Sequence, residues 1–261
     1  MNRLDRKLDA LKRENRAGLV TYFAGGDPDY TTSLDLLCQL GRAGADIIEL
    51  GMPFSDPVAD GPILQAANIR ALAGGQTLDR MMVMLREVRL RDDATPIVVM
   101  GYFNPVLHYG PARFFADVAD AGADAVILVD LPLEHANVYR PQLEKAGLHL
   151  IAMTAPTSSD ARMAALLKPA TGFVYHIAIA GTTGAGTPDE QVIAAAITRL
   201  RAHTDLPVAA GFGIRSVQQV RKVAAHADLV VVGSRLVDVL AKHGVAAALG
   251  EVASLASALP R

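Results

Sequence analysis

Ala121-Gly122-Ala123-Asp124-Ala125-Val126-Ile127-Leu128-Val129 joins the end of an amphipathic segment to an apolar run without polar alternation. Glycine accepts the left-handed conformation just past a helix C-terminus. An unalternating apolar run is what a parallel strand buried on both faces requires. The stretch therefore reads as helix, joint, strand. It recurs: Ala43-Gly44-Ala45-Asp46 precedes another apolar run, Ala225-His226-Ala227-Asp228 is a degraded copy, and Lys145-Ala146-Gly147 is a partial one.

Working outward from these joints, eight short apolar runs are found at 19–23, 46–50, 96–101, 125–129, 148–153, 173–177, 207–210 and 229–232. Helical patterns lie between them at 30–43, 81–91, 111–121, 136–146, 160–167, 188–203 and 216–225, with a last helix near 245–259. Such alternation implies right-handed βαβ units around a parallel sheet. No Pro/Ser-rich linker or composition break divides the 261 residues. The expected architecture is α/β: a single (β/α)8 TIM barrel over residues 1–261, rather than a doubly wound sheet. An extra N-terminal helix, within residues 1–16, is expected to cap the barrel bottom.

Composition narrows the function. Hydrophobic residues make up 51% and charged residues 20%, which excludes a disordered chain. The net charge of −2 leaves no basic surplus to neutralise a phosphate backbone. Aromatic content is 5% with no Trp, a poor stacking platform for single strands. One cysteine, Cys38, rules out an internal disulfide framework and a Cys-rich zinc site. The charged N-terminus lacks an apolar targeting core, and no uncharged run reaches ~18 apolar residues. A cytoplasmic protein without nucleic-acid or membrane partners is expected.

In a barrel of this kind, chemistry gathers at the C-terminal ends of the strands. The second run ends Ile48-Glu49-Leu50-Gly51. A carboxylate between Ile and Leu is costly to bury, so Glu49 is either paired with backbone or a cation, or raised in pKa toward a useful acid or base. The following loop carries Asp56 and Asp60. Asp60, just before Gly61-Pro62, is either a helix cap or a second carboxylate facing the pocket. Three glycine-bearing segments end the last three runs: Gly181-Thr182-Thr183-Gly184-Ala185-Gly186, Gly211-Phe212-Gly213 and Gly233-Ser234. Glycines let backbone N–H groups approach an anion, and a helix N-terminus adds a favourable dipole. Consecutive placement favours a phosphorylated ligand over ordinary turns. The run ends carry no Lys, so a Schiff-base aldolase lacks its nucleophile. Tyr102, Asp130 and Tyr175 also fall near run ends. Asp130 reads more readily as a turn carboxylate, and His108 and His176 as hydrogen-bonding residues without metal-ligand spacing. No metal site is expected.

At these residues the chain resembles the tryptophan synthase alpha chain family. The most specific segment is Glu49-Leu-Gly-Met-Pro-Phe-Ser-Asp-Pro-Val-Ala-Asp-Gly-Pro-Ile-Leu-Gln65. It is supported by Ala24-Gly-Gly-Asp-Pro-Asp29, Met100-Gly-Tyr-Phe-Asn-Pro105, Asp130-Leu-Pro132, Ala155-Pro-Thr157, Gly211-Phe-Gly-Ile214 and Val232-Gly-Ser234. The resemblance implies retro-aldol cleavage of indole-3-glycerol phosphate to indole and glyceraldehyde 3-phosphate. Indole would pass to a beta chain that joins it to serine. No cofactor is implied in this chain, and pyridoxal phosphate is implied on the beta chain, in an assembly of two alpha and two beta chains.

By the same resemblance, Glu49 exchanges the protons, Asp60 bonds the indole N–H, and Tyr175 lies near Glu49. Tyr22, Met100, Tyr102, Ile127, Phe212 and Val232 would line the indole pocket. Gly184, Gly213, Gly233 and Ser234 would hold the phosphate, and Thr183 would complete the site over Asp60. Phe54, Asp56, Asn104 and Pro132 would face the beta chain. The chain departs from the family pattern at Ile63, Ala178 and Ile179. Two other readings are a regulatory partner with weak lyase activity and a different phosphosugar barrel.

Overall fold

The computed structural model describes residues 1–177, 190–211 and 213–259. Nine parallel strands form one sheet: β1 (Gly18–Ala24), β2 (Ile47–Gly51), β3 (Ile97–Gly101), β4 (Ala125–Leu128), β5 (His149–Leu150), β6 (Ala152–Thr154), β7 (Val174–Ile177), β8 (Val208–Gly211) and β9 (Leu229–Val232). Their order is β5-β4-β3-β2-β1-β9-β8-β7-β6. The eight expected runs become nine strands because the fifth is broken at Ile151. Its first half pairs with β4 and its second with β7, while the Ile151 amide still bonds the Val126 carbonyl at 3.0 Å. The break is thus where the chain passes from one neighbour to the other, and it closes the ring.

The helices are α1 (Arg3–Arg13), α2 (Tyr30–Leu37), α3 (Leu40–Ala43), α4 (Pro62–Ala73), α5 (Leu78–Arg89), α6 (Phe103–Tyr109), α7 (Pro111–Asp120), α8 (Leu133–Ala146), α9 (Asp160–Leu167), α10 (Glu190–Arg201), α11 (Val217–Ala224) and α12 (Ser234–Ala256). The single helix expected at 30–43 is split at Cys38-Gln39 into α2 and α3. Helix α12 is long and apolar enough to cross a membrane by length and composition. Gly244, at φ 78°, breaks it into two segments, each well short of the ~20 residues a span needs.

Strand side chains alternate between two layers. Val20, Ile47, Val98, Ala125, Ile127, Ile151, Phe173, Ala209, Leu229 and Val231 form an inner cluster, which Leu4, Leu8 and Leu11 of α1 join. The larger cluster lies between the sheet and the helices. The repeated joints have a physical role at the barrel's N-terminal end. Gly44 and Gly122 have φ of 114° and 107°, a region L side chains rarely adopt. The aspartate that follows each joint accepts the backbone N–H at the start of the preceding barrel strand. Asp46 takes Leu19 at 2.9 Å, Asp124 takes Ile97 at 2.9 Å, and Asp228 takes Val208 at 2.8 Å. Each also pairs with an arginine: Arg16 at 2.8 Å, Arg89 at 3.0 Å and Arg201 at 3.1 Å respectively.

Candidate active site

Glu49 sits in the middle of β2 with its register partner Tyr22 on β1. Both are buried. Neither Glu49 carboxylate oxygen has a hydrogen-bond partner among the described residues. Burial pushes its pKa up from 4.5 to about 8, since nothing nearby offsets the cost of stranding a charge there. The alternative of a paired structural carboxylate does not hold for it.

Room for the site comes from two glycines. A Cβ on Gly51 would lie 2.5 Å from the Tyr22 hydroxyl, and one on Gly211 would lie 2.8 Å from the Tyr175 hydroxyl. The two tyrosines therefore occupy space that any other residue would fill. Tyr175, half-buried on β7, packs with Met100 and Met153 against the inner cluster. Burial and the nearby Glu49 push its phenol well above 10, and burial, Asp60 and Glu49 do the same for Tyr22.

Asp60 ends the loop after β2. The N-cap of α4 is Gly61, with Pro62 as the first helical residue, so Asp60 is not the cap. Its carboxylate accepts instead from the Asn68 amide at 3.1 Å and from the Tyr102 hydroxyl. Tyr102 in turn accepts from the Ala59 N–H at 3.0 Å. Burial raises the Asp60 pKa, and the bonds from Tyr102 and Asn68 oppose that rise. Asn68 also accepts the Phe54 N–H at 3.0 Å, and the Phe54 ring stands 5.4 Å from Tyr102. Asn68 is the residue that sequence reading missed. It lies eight residues past Asp60, and only helix α4 brings it back to the loop.

The remaining expected positions fall as follows. Met100 is half-buried on β3, and Ile127 is fully buried in the inner cluster. Val232 is buried as the register partner of Thr21 and belongs to the outer cluster, whereas Val231 faces inward. Gly233 is the N-cap of α12 and Ser234 its first residue, with no side chain capping the exposed amides. A Cβ on Gly233 would sit 3.4 Å from the Tyr22 ring, so this helix N-terminus adjoins the Tyr22–Glu49 pair. Gly213, at φ 64°, is exposed. Thr183, Gly184 and Phe212 lie outside the described residues, as do Ala178 and Ile179. Phe54 is half-buried and Asp56 exposed on the loop after β2, Asn104 is exposed in the first turn of α6, and Pro132 is exposed on the loop after β4.

Asp130 is a turn carboxylate that accepts the Phe103 N–H at 2.7 Å, and buried His176 bonds Thr154 at 2.9 Å. Among the described residues no cluster of His, Cys, Asp or Glu could hold a metal ion. A cleft of about 770 Å³ opens at the opposite end of the barrel beside α1 and shares no residue with this site.

The family model for the tryptophan synthase alpha chain matches residues 8–258. The structure is similar to tryptophan synthase subunit alpha from Legionella pneumophila, at 36% identity and TM-score 0.92, covering 99% of this chain and 98% of that one. It is similar to tryptophan synthase from Mycobacterium tuberculosis at 35% identity and TM-score 0.92, covering 98% of each chain. A chain from Aquifex aeolicus matches at 31% identity and TM-score 0.93 over 100% of both. With a family model spanning nearly all of its length, and structural relatives at 35–36% identity covering 98–99% of it, the chain belongs to the tryptophan synthase alpha chain family.

Proposed function

We propose that this chain cleaves indole-3-glycerol phosphate through Glu49 and Asp60, at the mouth of a single barrel domain whose bottom α1 covers. The family is a carbon–carbon lyase family, and membership sets aside other phosphosugar barrels. The observation that carries the assignment is a fully buried glutamate with two unpartnered oxygens and a pKa of about 8, which leaves it protonated at neutral pH.

The proton of Glu49 goes to indole C3, and the ring nitrogen becomes cationic. Asp60, ionised, accepts the N–H and stabilises that charge. The Glu49 carboxylate then removes the hydroxyl proton of the glycerol carbon attached to C3. The carbonyl of glyceraldehyde 3-phosphate forms, the carbon–carbon bond breaks, and its electron pair returns to the indole ring. Glu49 ends protonated as it began. Tyr175 and Tyr22 hold the glutamate's surroundings neutral and dry. Tyr22, Met100, Tyr102 and Ile127, with Phe212 and Thr183, make the wall around the indole, while Val232 backs it from the helix side of the sheet. The backbone amides of Gly184, Gly213, Gly233 and Ser234 bind the phosphate, so a chain of net charge −2 needs no cationic cluster for it.

Family membership implies a beta-chain partner. We assign Phe54, Asp56, Asn104 and Pro132 to that contact, in a complex of two alpha and two beta chains. The beta chain would carry pyridoxal phosphate and this chain no cofactor. The complex would be soluble and cytoplasmic. The test is indole release by the purified chain, alone and with a beta chain. Release abolished by Glu49→Gln supports the reading. Release by the parent chain no faster than by that variant, even with the beta chain present, leaves only the regulatory role.

A further inference from the structure

We propose that Asn68 is a positioning residue for Asp60: its side-chain amide fixes one carboxylate oxygen and favours the ionised form that the reaction uses. This rests on the assignment of Asp60 to the indole N–H. Asn68 is 3% exposed and makes three hydrogen bonds. Its Oδ1 accepts the Phe54 N–H at 3.0 Å, and its Nδ2 donates to Asp60 Oδ2 at 3.1 Å and to the Leu64 carbonyl at 2.9 Å. The set admits one orientation. Turning the amide over would set Oδ1 against a carboxylate and a carbonyl, and the NH2 group against an N–H. Asn68 therefore only donates to Asp60.

The helix that carries it is itself anchored. Arg70, two residues on, grips buried Asp27 of the loop after β1 through two bonds, at 2.7 and 3.0 Å. The titratable groups facing Asp60 are the hydroxyls of Tyr102 and Tyr22, neutral at working pH. No cation offsets its charge among the described residues. The Asn68 amide and the Tyr102 hydroxyl are thus the donors that oppose its burial, and Asn68 alone of the two also ties the carboxylate to the start of its own loop, through Phe54.

The experiment is steady-state indole release over pH 5–9 for Asn68→Asp and Asn68→Ser, beside Asp60→Asn. Binding of glycerol 3-phosphate, the non-indole half of the substrate, is measured in each. For Asn68→Asp, a carboxylate replaces the donor, so kcat falls roughly tenfold or more and the acid limb of kcat moves up by about one pH unit. Asn68→Ser shows a smaller loss with the same direction of shift. Glycerol 3-phosphate binding stays within about twofold of the parent, a split that a merely structural role would not produce. If Asn68→Asp does not fold, Asn68→Ser reads the same limb. Parent-like kcat and acid limb in the folded variants, with Asp60→Asn inactive, overturn the proposal and leave the Asp60 assignment standing. An active Asp60→Asn overturns both.

Discussion

Tyr22 and Glu49 stand opposite each other in the parallel ladder between β1 and β2, and their side chains leave the sheet on the same face. That pairing sets the character of the site. The phenol is itself uncharged and offers the glutamate no countercharge, and burial leaves the carboxyl desolvated. An acid stored this way is protonated at neutral pH, the state that the proposed proton transfer to carbon requires.

Glu49→Gln is expected to lower indole release a hundredfold or more while leaving glycerol 3-phosphate binding near the parent value. The same change alters stability with a definite sign. Glu49 titrates near 4.5 when unfolded and near 8 when folded. Below 4.5 both states are protonated and nothing is lost. Between 4.5 and 8 the folded state holds a proton that the unfolded state has released, so stability falls as pH rises. The loss reaches at most about 5 kcal/mol above pH 8. Urea unfolding should find the variant clearly more stable than the parent at pH 8.5, with the advantage fading toward pH 4.5. An advantage independent of pH contradicts the assigned shift.

The same proton dictates the activity profile. The proposed reaction starts from protonated Glu49, so kcat/KM for the parent should fall above about pH 8, tenfold per unit. Activity still rising at pH 9 would mean that the carboxylate is ionised in the working enzyme.

Most of this was legible in the sequence, and the exceptions have physical causes. The repeated joints located strands because Gly44 and Gly122 take the left-handed turn out of a helix, and Asp46, Asp124 and Asp228 each hold a strand-opening amide. Helix α6 was not visible because Phe103–Tyr109 is too short to show a period. Helix α4 escaped because its apolar residues run around it: Leu64 and Ala67 are buried while Ile69 is 66% exposed. The two readings of Asp60 could not be separated without knowing that Gly61 takes the cap. Asn68 could not be found at all, since its role exists only once α4 folds back over the loop.

Asp60→Asn separates the two readings directly. Gly61 caps α4, so the fold should lose less than about 1 kcal/mol. Turnover should fall at least tenfold, because a neutral amide cannot stabilise the cationic ring. Chemical denaturation and the indole assay on the same preparation decide it. A large loss of stability with normal turnover per folded molecule would return Asp60 to a structural role.

Gly51→Ala and Gly211→Ala test the space given to the tyrosines. The added methyl meets the Tyr22 hydroxyl at 2.5 Å and its ring carbons near 3 Å, so the ring must move. At Gly211 the contact is with the Tyr175 hydroxyl at 2.8 Å. Overpacking of this kind costs about 1–3 kcal/mol. Activity should fall further at Gly51, where the displaced ring pairs with Glu49. Unchanged kcat in both would show that neither tyrosine needs its present position.

The aspartates at the far end of the barrel should affect stability and leave chemistry alone, in an order set by burial. Asp124 is 1% exposed in its side chain and accepts from the Ile97 amide, Arg89 and Arg3. Asp46 is 8% exposed and holds Arg16 through two bonds, with Lys7 at 3.5 Å. Asp228 is 44% exposed with Arg201 beside it. Removing a buried partner leaves a desolvated cation and a strand amide without an acceptor, a loss of about 3–5 kcal/mol. An exposed pair contributes about 1 kcal/mol or less. Alanine at Asp124 and at Asp46 should therefore destabilise strongly, and alanine at Asp228 more weakly, through its Val208 amide bond. Turnover per folded molecule should match the parent in all three, since Glu49 lies toward the other end of the sheet. Equal losses at Asp228 and Asp124 would show that the strand-opening hydrogen bond, and not the buried ion pair, makes the joint strong.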